Sequence, residues 1–234
     1  MKCDEYFNEL KNDYEIIRVL SQKNESTVLL LRNRAADKKL VLRRYSAPVP
    51  AYDFLKTVES ENLPIIYDSI LLEDGQIVFE EYIDGITVAD VVENGLYTYR
   101  GAKKVLIGVC DALALLQSNG FVHRDIKPEN IMISKDSTVK LIDLNASRKY
   151  TPSAEKDTVR LGTLGYASPE QFGFAQSGVQ TDIYALGVLL NVMLTGRHPS
   201  SFLSKGKAGK IVLKCTQIDP QSRFHSVEKL VAEL

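Results

Sequence analysis

A chain of 234 residues that is 44% hydrophobic and 25% charged has ordinary globular usage and enough length to bury a core as one domain or two lobes, which excludes long disordered stretches. Its 29 Lys and Arg against 30 Asp and Glu leave a formal charge of -1, so no global field draws it to nucleic acid or an anionic membrane; nor does any run approach the roughly 18 apolar residues of a membrane span. Three widely separated cysteines without metal spacing (Cys3, Cys110, Cys215), and a start, MKCDEYFNEL, without an apolar stretch, lead to the expectation of a reduced, cytoplasmic protein.

Strand-like runs come first, at 14–20 (YEIIRVL), 27–32 (TVLLLR) and 39–45 (KLVLRRY), followed by two short apolar runs joined at Asp74-Gly75, a dipeptide that favours a hairpin. Between the third and fourth runs, AYDFLKTVES has room for about two turns of helix behind Pro48 and Pro50. The first third is therefore expected to be a small sheet with one helix. Beyond EEYIDG the period changes. Ala102, Val105, Leu106, Val109, Leu113 and Leu116 recur at helical spacing, and Asn119-Gly120 supplies a stop. Two short strands, NIMIS and VKLID, enclose the turn KDST, and a second apolar helix is expected over 182–195, ended by Gly196. No repeat or Gly/Ser linker interrupts the chain. A boundary at Asp84-Gly85 separates an N-lobe, 1–84, from a C-lobe, 85–234, and the two are expected to share a cleft.

The sharpest chemical feature is HRDIKPEN at 123–130. Asp125 and Asn130 stand at the D-x-x-x-x-N spacing, and Asp143 follows thirteen residues after Asn130 at the end of an apolar strand. Phosphoryl transfer needs an acceptor for a hydroxyl proton and oxygen ligands that hold Mg²⁺ against the phosphates, and these are the right residue types. The constellation resembles the catalytic core of the protein kinases. The resemblance implies that Asp125 positions the substrate hydroxyl, that Asn130 and Asp143 hold metal, and that Lys127 marks serine/threonine acceptors. GTLGYASPE at 162–170 resembles that family's substrate-binding loop and A-P-E motif, with Ser168 for Ala and Thr163 placed beside Asp125 and Lys127. TDIYALGVLL and DPQSRF imply that Asp182 holds the catalytic-loop backbone and that Arg223 pairs with Glu170. The implied fold is α+β and bilobal, with a small N-lobe of antiparallel sheet plus one helix and a larger, mainly helical C-lobe. A loop ending in Pro-Glu favours a protein substrate over a small molecule. Arg124 could pair with a phosphate placed on Tyr150, Thr151, Ser153, Thr158 or Thr163, although most loop hydroxyls are merely polar.

The upper lobe departs from the family's pattern. Val28 fixes the register of the glycine-rich phosphate loop so that its three glycine positions fall on Ser21, Lys23 and Ser26, which should lower nucleotide affinity. Arg43 stands where the family has the strand lysine that holds the phosphates, and the helix glutamate that orients that lysine falls on Ala51, with Asp53 or Glu59 as candidate substitutes. The D-F-G motif reads Asp143-Leu144-Asn145. The resemblance implies that Leu20, Val28, Arg43, Glu81 and Ile83 contact ATP, with Glu81 and Ile83 meeting the adenine through their backbone. Glu80 becomes a charged gatekeeper whose carboxylate needs a partner or solvent.

Three readings follow. One is a serine/threonine protein kinase that transfers the ATP γ-phosphate slowly, using Mg²⁺. A second is a pseudokinase that binds nucleotide or a protein partner. The third is a small-molecule phosphotransferase.

Overall fold

A computed structural model describes residues 1–23, 26–150, 163, 165–172 and 176–234, and the chain divides into two units, Met1–Asp84 and Gly85–Leu234. In the first unit, helix α1 (Cys3–Leu10) precedes strands β1 (Tyr14–Lys23), β2 (Ser26–Asn33) and β3 (Lys38–Tyr45), a short helix α2 (Ala51–Leu55), and strands β4 (Ile66–Leu72) and β5 (Gly75–Glu81). The strands form one antiparallel sheet in the order β1-β2-β3-β5-β4. Because side chains alternate along a strand, Leu29, Leu31, Leu40, Leu42, Ile77 and Phe79 share one face. Cys3 is buried with them, and Tyr6, Phe7 and Leu10 of α1 pack against the same cluster.

Helix α1 corrects the expectation of a sheet with one helix. Its signal was present, since positions 3, 6, 7 and 10 are apolar at helical spacing within an otherwise polar segment. The Cys3 N–H fixes the start of α1 to the Asp74 carboxylate at 2.7 Å. Helix α2 is five residues long, shorter than two turns. Beyond it, Thr57 and Val58 are β-branched and lose side-chain freedom in a helix, and the Thr57 hydroxyl bonds back to the Phe54 carbonyl. The β4–β5 hairpin turns on Glu73 and Asp74, with Leu72 opposite Gly75. A side chain at Gly75 would put its Cβ 2.0 Å from the Tyr45 carbonyl oxygen, so only glycine fits.

The second unit contains strand β6 (Gly85–Thr87), helices α3 (Val88–Asn94) and α4 (Tyr99–Ser118), strands β7 (Phe121–Val122), β8 (Ile131–Ser134), β9 (Val139–Leu141) and β10 (Arg148–Lys149), then helices α5 (Val179–Thr195), α6 (Gly206–Cys215) and α7 (Val227–Glu233). Strands β6, β8 and β9 form one small sheet, and β7 pairs with β10. All six periodic residues of α4 are buried, and the Thr98 hydroxyl caps its start by accepting from the Gly101 N–H. Helix α5 is buried along most of its length and ends at Gly196, whose φ of 67° and N–H bond to the Val192 carbonyl close the last turn. The three cysteines are free and buried, and no described helix is long and apolar enough to cross a membrane.

One buried ion pair ties the turn at Pro169–Phe172 to the chain before α7. The Arg223 guanidinium has five N–H groups, and each finds an acceptor. Nε donates to the Gln217 carbonyl (2.8 Å), Nη1 to Glu170 Oε1 (2.7 Å) and the Gln180 carbonyl (2.8 Å), and Nη2 to Glu170 Oε2 (2.9 Å) and the Ile218 carbonyl (3.1 Å). Burial pushes the Glu170 carboxyl up, but the bonds from Arg223 and Thr181 outweigh it and hold the group below its usual range. Arg223→Met leaves that carboxylate buried and unpaired. The substitution is expected to cost about 3–5 kcal/mol in urea unfolding, whereas replacing both partners by apolar residues of similar volume costs less.

Candidate active site

The catalytic loop runs from β7 to β8 and is held from below by one residue of α5. Asp182 is fully buried; its Oδ2 accepts the His123 N–H (3.1 Å) and the Gln117 side-chain amide (3.2 Å), and its Oδ1 accepts the Arg124 N–H (2.9 Å). Burial pushes the Asp182 carboxyl above its usual range. With both N–H groups fixed, Arg124 sits at φ 67°, a region that is costly for a side chain longer than Asn or Asp. Gln171 donates to the Arg124 carbonyl (2.9 Å), and Arg124 Nε donates to the Ala146 carbonyl (2.7 Å). Burial lowers the pKa of His123 and keeps the imidazole neutral, with Nδ1 accepting the Asp125 N–H at 3.3 Å.

Asp125 lies at the centre of a closed polar cluster. Lys127 Nζ donates to Asp125 Oδ2 (2.6 Å) and to the Thr163 hydroxyl (2.8 Å), while Thr163 donates to Asp125 Oδ1 (2.7 Å). The Asn130 amide reaches Asp125 twice, at its carbonyl and at Oδ2, both at 2.9 Å. Burial raises the Asp125 carboxyl, but the bonds from Lys127 and Thr163 together with the Lys127 charge bring it below its usual range, so it is ionised at neutral pH. Asp143 follows β9. The Ile142 N–H, next to it, bonds to the Asn130 carbonyl at 2.9 Å, which couples the two candidate metal ligands through the backbone. The left-handed residue of this turn is Asp143 itself (φ 63°), and Asn145 is not among the positive-φ residues. Asn is therefore accommodated at the glycine position of the motif because the freedom of glycine is not used there. An amide oxygen and a carboxylate are hard donors suited to Mg²⁺, which usually takes one or two protein carboxylates and completes its shell with phosphate and water.

The first unit holds the remaining predicted residues. Ser21 pairs with Val28 and Lys23 with Ser26 in the β1–β2 ladder, so all three glycine positions are strand residues. Residues 24 and 25 lie outside those described. Leu20 sits at an irregularity in β1 and is exposed, while Val28 is buried opposite Arg43. Arg43 Nε donates to Glu80 Oε1 at 2.7 Å, and the two residues are only 6% and 3% exposed. The charged gatekeeper therefore has a partner, and that partner is the cation of β3. Ala51, the residue assigned to the helix glutamate position, is buried in α2. Asp53 is turned to the Ser69 hydroxyl (2.7 Å) and Glu59 is exposed. Glu81 is bound through its N–H to the Ile65 carbonyl (2.9 Å), and Ile83 is buried. Of the hydroxyls proposed for phosphorylation, Thr151, Ser153 and Thr158 lie outside the described residues, Tyr150 is exposed, and Thr163 is engaged in the Asp125 cluster.

Sequence reasoning brought Asp125, Lys127, Asn130 and Thr163 together correctly and identified the Asp182 and Arg223 anchors. It missed the Arg43–Glu80 pair. The available signal was the alternation itself, which puts both charges among apolar neighbours on adjacent strands.

The family model described as the protein kinase domain matches residues 32–232, and the chain belongs to the protein kinase family. Its fold is of that α+β class, an antiparallel sheet unit followed by a mainly helical one. Over 185 residues it is 34% identical to a probable serine/threonine-protein kinase PknB of Bifidobacterium longum, a match covering 74% of this chain and 26% of that protein. It is also similar to the serine/threonine-protein kinase PknB of Mycobacterium tuberculosis (32% over 209 residues; 81% of this chain, 33% of that protein). A probable serine/threonine-protein kinase of Clostridium perfringens matches at 24% identity over 233 residues, 88% of this chain and 33% of that protein. The chain thus spans about a quarter to a third of the length of these curated relatives.

Lys127→Met removes one of the groups that hold the Asp125 carboxyl low, so Asp125 titrates at higher pH in the variant. A depressed carboxyl contributes stability that is present above its unfolded value, about 3.9, and lost as pH falls through the folded value. The wild type should therefore gain on the variant as pH rises through the carboxylate range, and the difference should be level near neutrality. Urea unfolding of both proteins from acid to neutral pH measures this; a difference independent of pH would refute it.

Proposed function

We propose that this chain is the kinase domain of a serine/threonine protein kinase, transferring the γ-phosphoryl group of ATP to a protein hydroxyl at a reduced rate. The observation that carries this reading is the closed Asp125–Lys127–Thr163–Asn130 cluster. In this reading the substrate hydroxyl donates its hydrogen bond to Asp125. Its oxygen forms a bond to the γ-phosphorus as the bond to the β-phosphate oxygen breaks, and the hydroxyl proton passes to the carboxylate. Because Asp125 is held low, it acts first as an acceptor that orients the hydroxyl and takes the proton late. The Lys127 ammonium lies 2.6 Å from Asp125 and is suited to balance charge on the transferring group. Asn130 and Asp143 would hold Mg²⁺, which would supply positive charge against the phosphates.

Leu20, Val28, Glu81 and Ile83 would contact the nucleoside, and Arg43 the phosphates. The preformed turn around Ser168, Pro169 and Glu170 supports a protein acceptor over a small molecule. Buried free thiols and a need for ATP fit a reducing, cytoplasmic setting. One observation favours a second reading, a pseudokinase that binds nucleotide or a protein partner: the β1–β2 ladder carries side chains at every position where phosphate-cradling glycines would lie.

Transfer of ³²P from γ-labelled ATP with Mg²⁺, to the protein itself and to a generic basic protein, tests the proposal. Asp125→Asn and Asp143→Ala are each expected to lower labelling on the order of a hundredfold or more. Equal labelling of wild type and variants, with Mg-ATP failing to raise the melting temperature, would leave a kinase-shaped interaction module.

A further inference from the structure

Kinase-type phosphate clamps need a cation that stays in one place, and a long cationic side chain on a strand does so only if a carboxylate holds it. In this chain α2 offers no such group at its expected position, because that residue is Ala51, and α2 itself is a helix of five residues. The carboxylate comes from the sheet. The β3–β5 register sets Arg43 opposite Val78 and Glu80 opposite Val41, so Arg43 and Glu80 are diagonal neighbours on one face, two residues apart along β5. Their contact at 2.7 Å is buried.

Helix α2 is attached to this face by other means. The Gln76 side chain, fully buried one pleat further along β5, accepts the Val49 N–H at 2.6 Å and donates to the Ser69 hydroxyl at 2.8 Å; Ser69 in turn donates to Asp53 of α2. Tyr45 and Tyr52 share a hydrogen bond between their hydroxyls at 2.7 Å with their rings stacked. Position 76 thus anchors the helix while position 80 holds the cation, two tasks separated along one strand.

We infer that Glu80 is the positioning residue for Arg43, so that orientation of the phosphate-binding cation is built into the β3–β5 sheet. This inference rests on the nucleotide-binding reading above. It predicts a preference for ATP over adenosine that is created by the pair: Glu80 acts on the phosphates only through Arg43.

The test is a double-mutant cycle on the whole chain, with Mg-ATP and adenosine titrated against wild type, Glu80→Gln, Arg43→Met and the double variant, and with the unfolding midpoint of each recorded without ligand. Glu80→Gln is expected to weaken Mg-ATP on the order of tenfold, the size of a charge-assisted hydrogen bond, and adenosine by less than about twofold. In the Arg43→Met background the same change should alter Mg-ATP affinity by less than about twofold. If Glu80→Gln fails to fold, the cycle is run with Glu80→Asp, whose shortened carboxylate must also lose ATP preference only where Arg43 is present.

Equal weakening of ATP and adenosine would make Glu80 merely structural, and tighter ATP binding by Glu80→Gln would show that it sequesters Arg43; either overturns the inference while leaving the kinase reading standing. A folded wild type that binds neither ligand overturns both.

Discussion

A carboxylate buried without a cation is expensive, and Asp182 is such a group. What makes it tolerable is that its two oxygens collect three N–H donors, two of them consecutive backbone amides of the catalytic loop. The two N–H groups fix where the chain enters Arg124, and Arg124, in the left-handed region, sets the direction in which it leaves. Everything downstream inherits this constraint. Asp125 leaves the turn in a direction set by Asp182, and Lys127, Asn130 and Thr163 then close around it. The strain at Arg124, of order 1–3 kcal/mol for such a residue, is sustained by the bonds its own backbone and guanidinium make to Asp182, Gln171 and Ala146.

The two units solve the problem of holding charge differently. In the second, the key carboxylates are fixed by several donors each, and Glu170 and Asp182 are both anchored within one turn of the start of α5 or against it. In the first, a single strand, β5, supplies the fixing groups at positions 76 and 80, four residues apart and so on the same face. A sheet is stiffer than a five-residue helix. Moving the carboxylate from helix to sheet therefore trades adjustability for constancy in where the cation stands.

Legibility divided along physical lines. Motifs that depend on fixed spacing in a loop, such as Asp125 to Asn130, could be read directly, and so could α4 and α5, whose buried faces repeat over many residues. The shortness of α2 was hidden because about two turns of weak helix formers look much like one. Helix α1 was overlooked for a different reason: its four apolar residues mark a helical face but occupy only two turns, and what stabilises so short a helix is the apolar sheet face it covers. For the Arg43–Glu80 pair, alternation marked both charges as inward-facing, but they are thirty-seven residues apart and only the strand register joins them.

The departures from the family's pattern are not scattered. On the alignment read from the sequence, serine, lysine and serine at the glycine positions, arginine on β3, alanine on α2 and glutamate on β5 all fall in the first unit, while Asp125, Lys127, Asn130 and Asp143 in the second have the residue types that the family's pattern calls for. The altered set is also internally consistent, for Arg43 and Glu80 are buried together and bonded at 2.7 Å, and removing one partner of a buried ion pair is costly. Two changes that are each harmful alone and tolerable together are what a rebuilt binding site requires, and their compensation argues that the charge at position 43 has kept a use.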